Sequence, residues 1–184
     1  MVPSTEELLE IARTYWPSQE DPNQEPGPEA HRLHVLWRRK LAEPGPWDAL
    51  IDQLELAFPQ DTVADITTTS DAGHWCAIYP GPSPEPPGLG WVYVGSASII
   101  APVYTVYRVQ FEYSERRIFR QLDLEPPAVE PTVTMKRLME STLGAILLPP
   151  DIASHPAPVF VDWKSPPKTT LFHALFTSRP ENLP

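Results

Sequence analysis

His74 and Cys76 are the pair of residues in this sequence best suited in type and spacing to nucleophilic chemistry. Residues at i and i+2 of a β-strand project from the same side, so an imidazole could lie next to a thiol, as cysteine-dependent catalysis requires. However, Cys76 stands between Trp75 and Ala77 in an apolar stretch, and cysteine is among the residue types most often buried. Reactive thiols need exposure and a lowered pKa. The pattern therefore favours a core cysteine, and catalysis near His74 and Cys76 is the alternative.

A second candidate site lies at His31 and His34, three residues apart on a predicted helix. This spacing puts two imidazoles on one side of the helix, and Glu29 is near enough to be considered as a ligand. Zinc sites use three or four protein ligands in a defined geometry, and the sequence indicates no third one. We expect a surface or partly packed histidine pair, with no metal and no cofactor.

The remaining motifs give no support to catalysis. Ser96 and Ser98 lack the glycine that follows a nucleophile-elbow serine by two residues, and the sequence has no GxGxxG, Walker or HExxH motif. Asp61, Asp65 and Asp71 could supply carboxylates for acid–base work, but acidic residues that border a strand are more often a solvated edge. The sequence therefore predicts a protein that is not an enzyme.

The most one-sided feature is the block from Leu41 to Tyr107, which contains no Lys or Arg over 67 residues. The same block holds eight carboxylates, namely Glu43, Asp48, Asp52, Glu55, Asp61, Asp65, Asp71 and Glu85. Solubility accounts for a net negative sign but not for the missing bases. A docking surface for a cationic protein accounts for both, because complementary charge raises the association rate and fixes orientation.

Three of these carboxylates share one side of a predicted helix, since Asp48, Asp52 and Glu55 follow i, i+4, i+7 spacing. The same helix should bury a different side, so these three should face outward. The apolar stripe on that buried side consists of Trp47, Leu50, Ile51, Leu54 and Phe58. The predicted partner-binding residues are Asp48, Asp52, Glu55, Asp61, Asp65 and Asp71. The tryptophans that would add anchoring area if exposed are Trp47, Trp75 and Trp91.

Composition narrows the class of protein. With 184 residues, 41% of them apolar, the chain can bury the core of a single domain spanning residues 1–184. A formal net charge of −10 disfavours direct binding to nucleic acid or membranes, which depends on clustered Lys and Arg. The lone cysteine rules out an intrachain disulfide. The first residues lack the features of a signal peptide, and no apolar run approaches the roughly 18–20 residues of a membrane span, so we expect a cytoplasmic protein.

Four segments have the apolar spacing of helices, and prolines divide them from their neighbours. Ser4 and Thr132 are the predicted caps of the first and fourth helices, Pro28 opens the second, and Pro46 or a neighbouring residue opens the third. Prolines at 17, 59 and 149 end the first, third and fourth. Between the third and fourth helices the period changes to two, which is typical of strands. The predicted strands are Thr62–Ser70, Trp75–Tyr79, Trp91–Ile100 and Val103–Tyr113, with Gly88–Gly90 as a loop and Ser114–Leu124 either a strand or a short helix.

The carboxyl-terminal segments Val159–Trp163 and Thr169–Thr177 flank the Ser165-Pro166-Pro167 sequence and are predicted to form a hairpin. The predicted class is α+β. Amino-terminal helices pack on a largely antiparallel sheet, and one further helix precedes the C-terminal β-hairpin.

A family resemblance follows from this arrangement, together with the segment Gly88-Leu89-Gly90-Trp91-Val92-Tyr93-Val94 and the tail from Trp163-Lys164 through Thr170-Leu171-Phe172-His173-Ala174-Leu175-Phe176. The chain resembles the immunity proteins of bacterial polymorphic toxin systems, and is most similar to the immunity protein 52 family. This resemblance implies a protein that binds a cognate toxin domain, often a nuclease, and blocks its active site or substrate groove. It transfers no catalytic residue to this chain.

The sequence thus predicts an immunity protein that neutralises a cationic toxin through an acidic face. Two alternatives remain. A motif-poor enzyme would need a concave pocket near His74 or Cys76, and a structural or assembly protein would self-associate with rising concentration. The sequence leaves the oligomeric state open.

Overall fold

A computed structural model of the chain describes residues 2–19, 27–43, 45–82 and 88–184. Within these ranges the helices are α1 (Thr5–Tyr15), α2 (Pro28–Ala42), α3 (Pro46–Ala57), α4 (Glu130–Leu143), α5 (Pro150–Ala153) and α6 (Leu171–Leu175). The strands are β1 (Thr62–Asp65), β2 (Gly73–Tyr79), β3 (Gly88–Ser98), β4 (Val103–Tyr113), β5 (Arg117–Asp123) and β6 (Ile146–Leu147). The prediction of an α+β fold is confirmed. None of the described helices combines the length and apolar character needed to cross a bilayer.

The strands form one mostly antiparallel sheet in the order β1-β2-β3-β4-β5. The short strand β6 runs parallel to the start of β4, where Val103 pairs with Ile146. It continues the edge of β4 that β5 occupies from Arg108 to Tyr113. Consecutive strands are therefore neighbours and β1 is an outer strand, against which the preceding helix α3 packs.

Both faces of the sheet are covered, because side chains alternate along its central strand. Tyr107 and Val109 face a core that includes residues of α1, α2 and α6. Tyr104 and Val106 face a second core, formed with α3 and α4. The amino-terminal helices thus divide between the two faces, which their periodicity alone does not specify. They do so because each apolar face of the sheet needs a layer of helices to cover it.

Helix α4 packs closely on the sheet at Gly95. A Cβ atom built at this glycine would lie 2.7 Å from the sulfur of Met135, so the absent side chain permits the approach. The predicted bounds of this helix are wrong at both ends. It begins two residues before Thr132, because proline at its second residue suits the first turn. It stops at Leu143 because Gly144 adopts the left-handed conformation with φ of 63°.

The predicted C-terminal hairpin is wrong. Residues Leu171–Leu175 form the short helix α6, and Val161 forms only an isolated bridge with Lys164 among the described residues. The helix begins with a capping box, in which the backbone N–H of Thr170 donates to Nδ1 of His173 at 3.1 Å. Nearly every residue of α6 is buried, so the apolar run had no amphipathic period to separate helix from strand.

Two smaller predictions were wrong, and for a third segment the structure agrees with one of the two predicted alternatives. The first strand ends at Asp65 instead of Ser70, since the Asp65 carboxylate accepts the backbone N–H of Thr67 at 3.0 Å and turns the chain out of the ladder. Residues Gly88–Gly90 open β3 and are not a loop. The ambiguous segment 114–124 is largely strand β5.

Candidate functional site

The exposed side of α3 carries three carboxylates, Asp48, Asp52 and Glu55, which we call the α3 acidic row. Trp47, Leu50 and Leu54 bury the opposite side of the helix against the sheet, so the row must face solvent, and all three of its residues are exposed. The described residues place no Lys, Arg or His within ion-pair distance of these carboxylates. The row therefore presents uncompensated negative charge.

Asp61 directly precedes the edge strand β1 and Asp65 is its last residue, and this strand packs against α3. The Asp61 carboxylate accepts the backbone N–H of Gly81 at 3.0 Å. The Asp65 carboxylate accepts the indole N–H of Trp47 at 3.1 Å, which ties β1 to the start of α3. Both donors are uncharged, so neither carboxylate is neutralised. Five of the six predicted contact residues therefore belong to α3 and β1, or directly precede β1, at one edge of the sheet.

Asp71 does not belong to this surface. It is 8% exposed, and its carboxylate accepts the backbone N–H of Ser178 and the hydroxyl of Thr68, both at 3.1 Å. Burial raises the pKa of Asp71, while the Ser178 hydrogen bond acts in the opposite direction. The carboxylate links the β1–β2 connection to the carboxyl-terminal segment, so we leave Asp71 out of the contact set.

A groove of about 800 Å³ opens beside the start of α3, and we call it the His74 groove. Its lining includes Lys40, Glu43, Asp48, Asp65, Thr67, His74, residues Ala97–Pro102, and residues Leu143–Ala145 at the end of α4. Asp48 belongs both to this lining and to the α3 acidic row. The groove and the acidic row are therefore parts of one continuous surface.

His74 is held between two tryptophans. Its ring stacks on Trp47 with centroids 4.8 Å apart and an interplanar angle of 22°, and meets Trp37 edge-on at 4.8 Å. Burial lowers the pKa of His74, although the negative charges of Asp65 and Asp48 oppose this shift. Its Nδ1 atom is buried and finds no hydrogen-bond partner among the described residues. A neutral ring protonated on Nε2 is therefore favoured at pH 7, because a proton on Nδ1 would have no acceptor.

Cys76 has the environment of a core residue. It is fully buried, its thiol contacts the carbonyl oxygen of Gly95 at 3.7 Å, and burial raises the pKa of the thiol to about 12. A thiolate, which is the nucleophilic form, is disfavoured under these conditions. Cys76 thus lacks the exposure and the lowered pKa on which a cysteine nucleophile depends.

The other candidate residues do not form a site. His31 and His34 are exposed on α2, and Glu29 pairs with Arg32 at 3.2 Å. Within the part of the chain that the structure describes, no three His, Cys, Asp or Glu side chains converge as metal ligands would.

The tryptophans considered as exposed anchors are also placed by the fold. Trp47 and Trp75 are buried, with 8% and 4% exposure, and the half-buried Trp91 lies under the guanidinium of Arg108 at 3.8 Å. The contact of Trp47 with both Asp65 and His74 was not apparent from the sequence. These residues are separated along the chain, and two tertiary features bring them together, namely the antiparallel pairing of β1 with β2 and the packing of α3 against β1.

No known protein family, curated protein or solved structure matches this chain. The resemblance to the immunity protein 52 family therefore stays a prediction, and the function must be argued from the geometry.

Proposed function

We propose that this chain is a cytoplasmic immunity protein that binds and neutralises a cognate cationic toxin domain. The observation that carries the proposal is the α3 acidic row, in which Asp48, Asp52 and Glu55 are exposed and unpaired among the described residues. Like charges at this spacing slightly weaken an isolated helix. A positively charged partner would relieve this repulsion when it binds, which would contribute to the binding free energy.

Two further carboxylates extend this surface. Asp61 and Asp65 accept hydrogen bonds from uncharged donors, so their positions are fixed while their charge persists. Pre-positioned charges bind with a smaller loss of side-chain entropy than mobile ones. The contact set of the proposal is therefore Asp48, Asp52, Glu55, Asp61 and Asp65.

We favour a nuclease as the toxin domain because of how such enzymes hold their substrate. A nuclease groove is lined with Lys and Arg that neutralise phosphates. An acidic protein surface can occupy such a groove by presenting carboxylates where phosphates would lie. The proposed inhibition is then a competition for the substrate groove, and it needs no catalytic residue in this chain.

The proposal is tested by the reading frame adjacent to the gene for this chain. We expect it to end in a small basic domain whose expression stops cell growth, and co-expression of this chain should restore growth. Restoration should fail when Asp48, Asp52 and Glu55 are all changed to Lys. A neighbouring operon of metabolic enzymes, or full restoration by the triple variant, would contradict the proposal.

One observation favours an enzyme as the second candidate, namely the position of His74 in a groove with three carboxylates. The Nε2–H of a neutral His74 imidazole could donate a hydrogen bond to a substrate oxygen on which negative charge develops. Cys76 does not contribute to this alternative because its thiol is buried. A reaction abolished by His74→Ala in a variant that keeps its fold would support the enzyme over the immunity protein.

A further inference from the structure

We propose that the His74 groove receives a short basic segment of the partner, with the head of an Arg or Lys side chain lying against Asp48 and Asp65. This inference rests on the proposed function, since it assumes a cationic protein partner. It identifies the position at which the partner is anchored, whereas the rest of the contact set surrounds that position.

The charges that line the groove favour a cation. Asp48, Asp65 and Glu43 contribute three negative charges and Lys40 one positive charge, while burial keeps His74 largely neutral at pH 7. The Asp65 carboxylate is held by the indole N–H of Trp47 and by a backbone N–H. Both hydrogen bonds orient the carboxylate without removing its charge, which prepares it for a charge-assisted hydrogen bond.

Two helix ends line the groove, and their dipoles have opposite effects on a bound cation. The residues that end α4, Leu143–Ala145, line it, and the carboxyl end of a helix attracts cations. The start of α3 at Pro46 also lines it and attracts anions, although Asp48 in the first turn offsets this effect. Lys40 is exposed on α2, so it can turn towards solvent when a cation enters. The fixed carboxylates therefore make the electrostatic potential in the groove negative.

The size and the apolar part of the groove fit a peptide segment better than a bare ion. A volume of about 800 Å³ lies in the range of pockets that hold extended organic ligands, roughly 300–1,000 Å³. Ile99, Ile100 and Leu143 give part of the lining an apolar character. The methylene stem of an Arg or Lys side chain can pack on such a surface while its charged head stays with the carboxylates.

The inference is tested by titrating the full ¹⁵N-labelled chain with N-acetyl-argininamide and, separately, with the uncharged isostere N-acetyl-citrullinamide. The reporter is the indole N–H resonance of Trp47, assigned with Trp47→Phe, because this N–H donates to Asp65. We expect a saturable shift with the arginine probe and none with the citrulline probe. Loss of one charge contact corresponds to roughly a 3- to 10-fold weaker Kd, which is the change expected for Asp48→Asn.

The matched control is Asp151→Asn, an exposed residue on α5 at the other face of the sheet, which should leave the Kd unchanged. A second measurement repeats the wild-type titration in 1 M NaCl, where screening should weaken binding, so the test does not depend on the folding of a variant. Equal shifts with both probes, an unshifted Trp47 resonance, or a Kd unaffected by both Asp48→Asn and salt would overturn the inference.

Failure of this inference is distinguishable from failure of the proposed function. If the arginine probe does not bind but reversal of the α3 acidic row still slows toxin association, the docking surface stands without its anchor. If the probe binds and reversal of the row leaves toxin association unchanged, the groove is a cation site and the proposed function falls.

Discussion

Asp71 offers the sharpest test of how the fold uses its acidic residues, because two substitutions there should have different effects. Asp71→Ala leaves the buried N–H of Ser178 without its 3.1 Å acceptor, and an unpaired buried donor costs about 1–3 kcal/mol. Asp71→Asn keeps an oxygen acceptor and removes a charge that burial disfavours. We therefore expect Asn to lie within about 1 kcal/mol of the wild type, and Ala to be about 2 kcal/mol less stable.

The pH dependence of stability follows from the raised pKa of Asp71. A carboxyl group with a folded-state pKa above its unfolded value favours the folded state fully below the unfolded value, here 3.8. That contribution is lost as the pH rises through the folded-state pKa. Asp71→Asn should remove this part of the pH dependence, so its stability relative to the wild type should improve as the pH rises above about 4.

The assay is denaturant unfolding of the wild type and both variants from pH 3.5 to 7, with circular dichroism as the signal. At pH 7 the Asp71→Ala variant should also melt about 4–8 °C lower, given roughly 2–4 °C per kcal/mol for a chain of this size. Equal destabilisation by Asn and Ala would refute the reasoning, since it would mean that the negative charge itself stabilises the fold.

Three further predictions test individual contacts within the fold. Trp47→Phe removes the hydrogen bond to Asp65 and should lower the free energy of unfolding by about 1–2 kcal/mol in a denaturant titration. The control is Trp163→Phe, at a residue 63% exposed, which should change the free energy of unfolding little. Burial lowers the pKa of His173 from 6.5 to about 4, so the free energy of unfolding should fall as the pH drops through that window. His173→Gln should keep the cap and reduce this loss by about 1–3 kcal/mol. Denaturant unfolding at pH 7 and at pH 4.5 measures the difference. Gly95→Val would place a side chain against two α4 methionines and should cost about 1–3 kcal/mol, with an unchanged melting temperature contradicting the close packing.

The helices of the first third of the chain could be predicted because their limits are local. The capping box at Ser4 and Glu7 appears in the structure as predicted, and prolines open α2 and α3 at residues 28 and 46. Each signal depends on residues within one turn of the helix end. The third helix also shows its predicted burial, with Trp47, Leu50 and Leu54 turned inward.

The carboxyl-terminal third was harder because its segments are buried on several sides. In α6, Leu171, Phe172, Ala174 and Leu175 are all buried, so the run shows neither a helical nor a strand period. The strand β6 has two residues and exists through its pairing with β4, more than 40 residues away. Tertiary contacts decide such elements, and local sequence cannot reveal them.

The candidate site was predictable in its exposed part and not in its buried part. The outward direction of Asp48, Asp52 and Glu55 follows from helical spacing alone. The burial of Asp71 depends on Ser178, 107 residues further along the chain. The His74 groove likewise depends on segments from α2, α3, the sheet and α4. Helical spacing therefore indicated which side of α3 faces solvent, whereas the shape of the surface could be identified only from the folded structure.

The most direct test of the account is the rate at which this chain associates with the basic domain encoded beside it, measured by stopped flow at low and at physiological salt. Changing Asp48, Asp52 and Glu55 to Lys should slow association by about 10-fold or more, and the wild-type rate should fall as salt shortens the screening length. A control variant with Glu10, Glu125 and Asp151 changed to Lys has the same net charge but alters exposed residues outside the α3–β1 edge. It should stay much closer to the wild type. Equal slowing by both triple variants, or a wild-type rate that does not respond to salt, would contradict the claim that this edge is the docking surface.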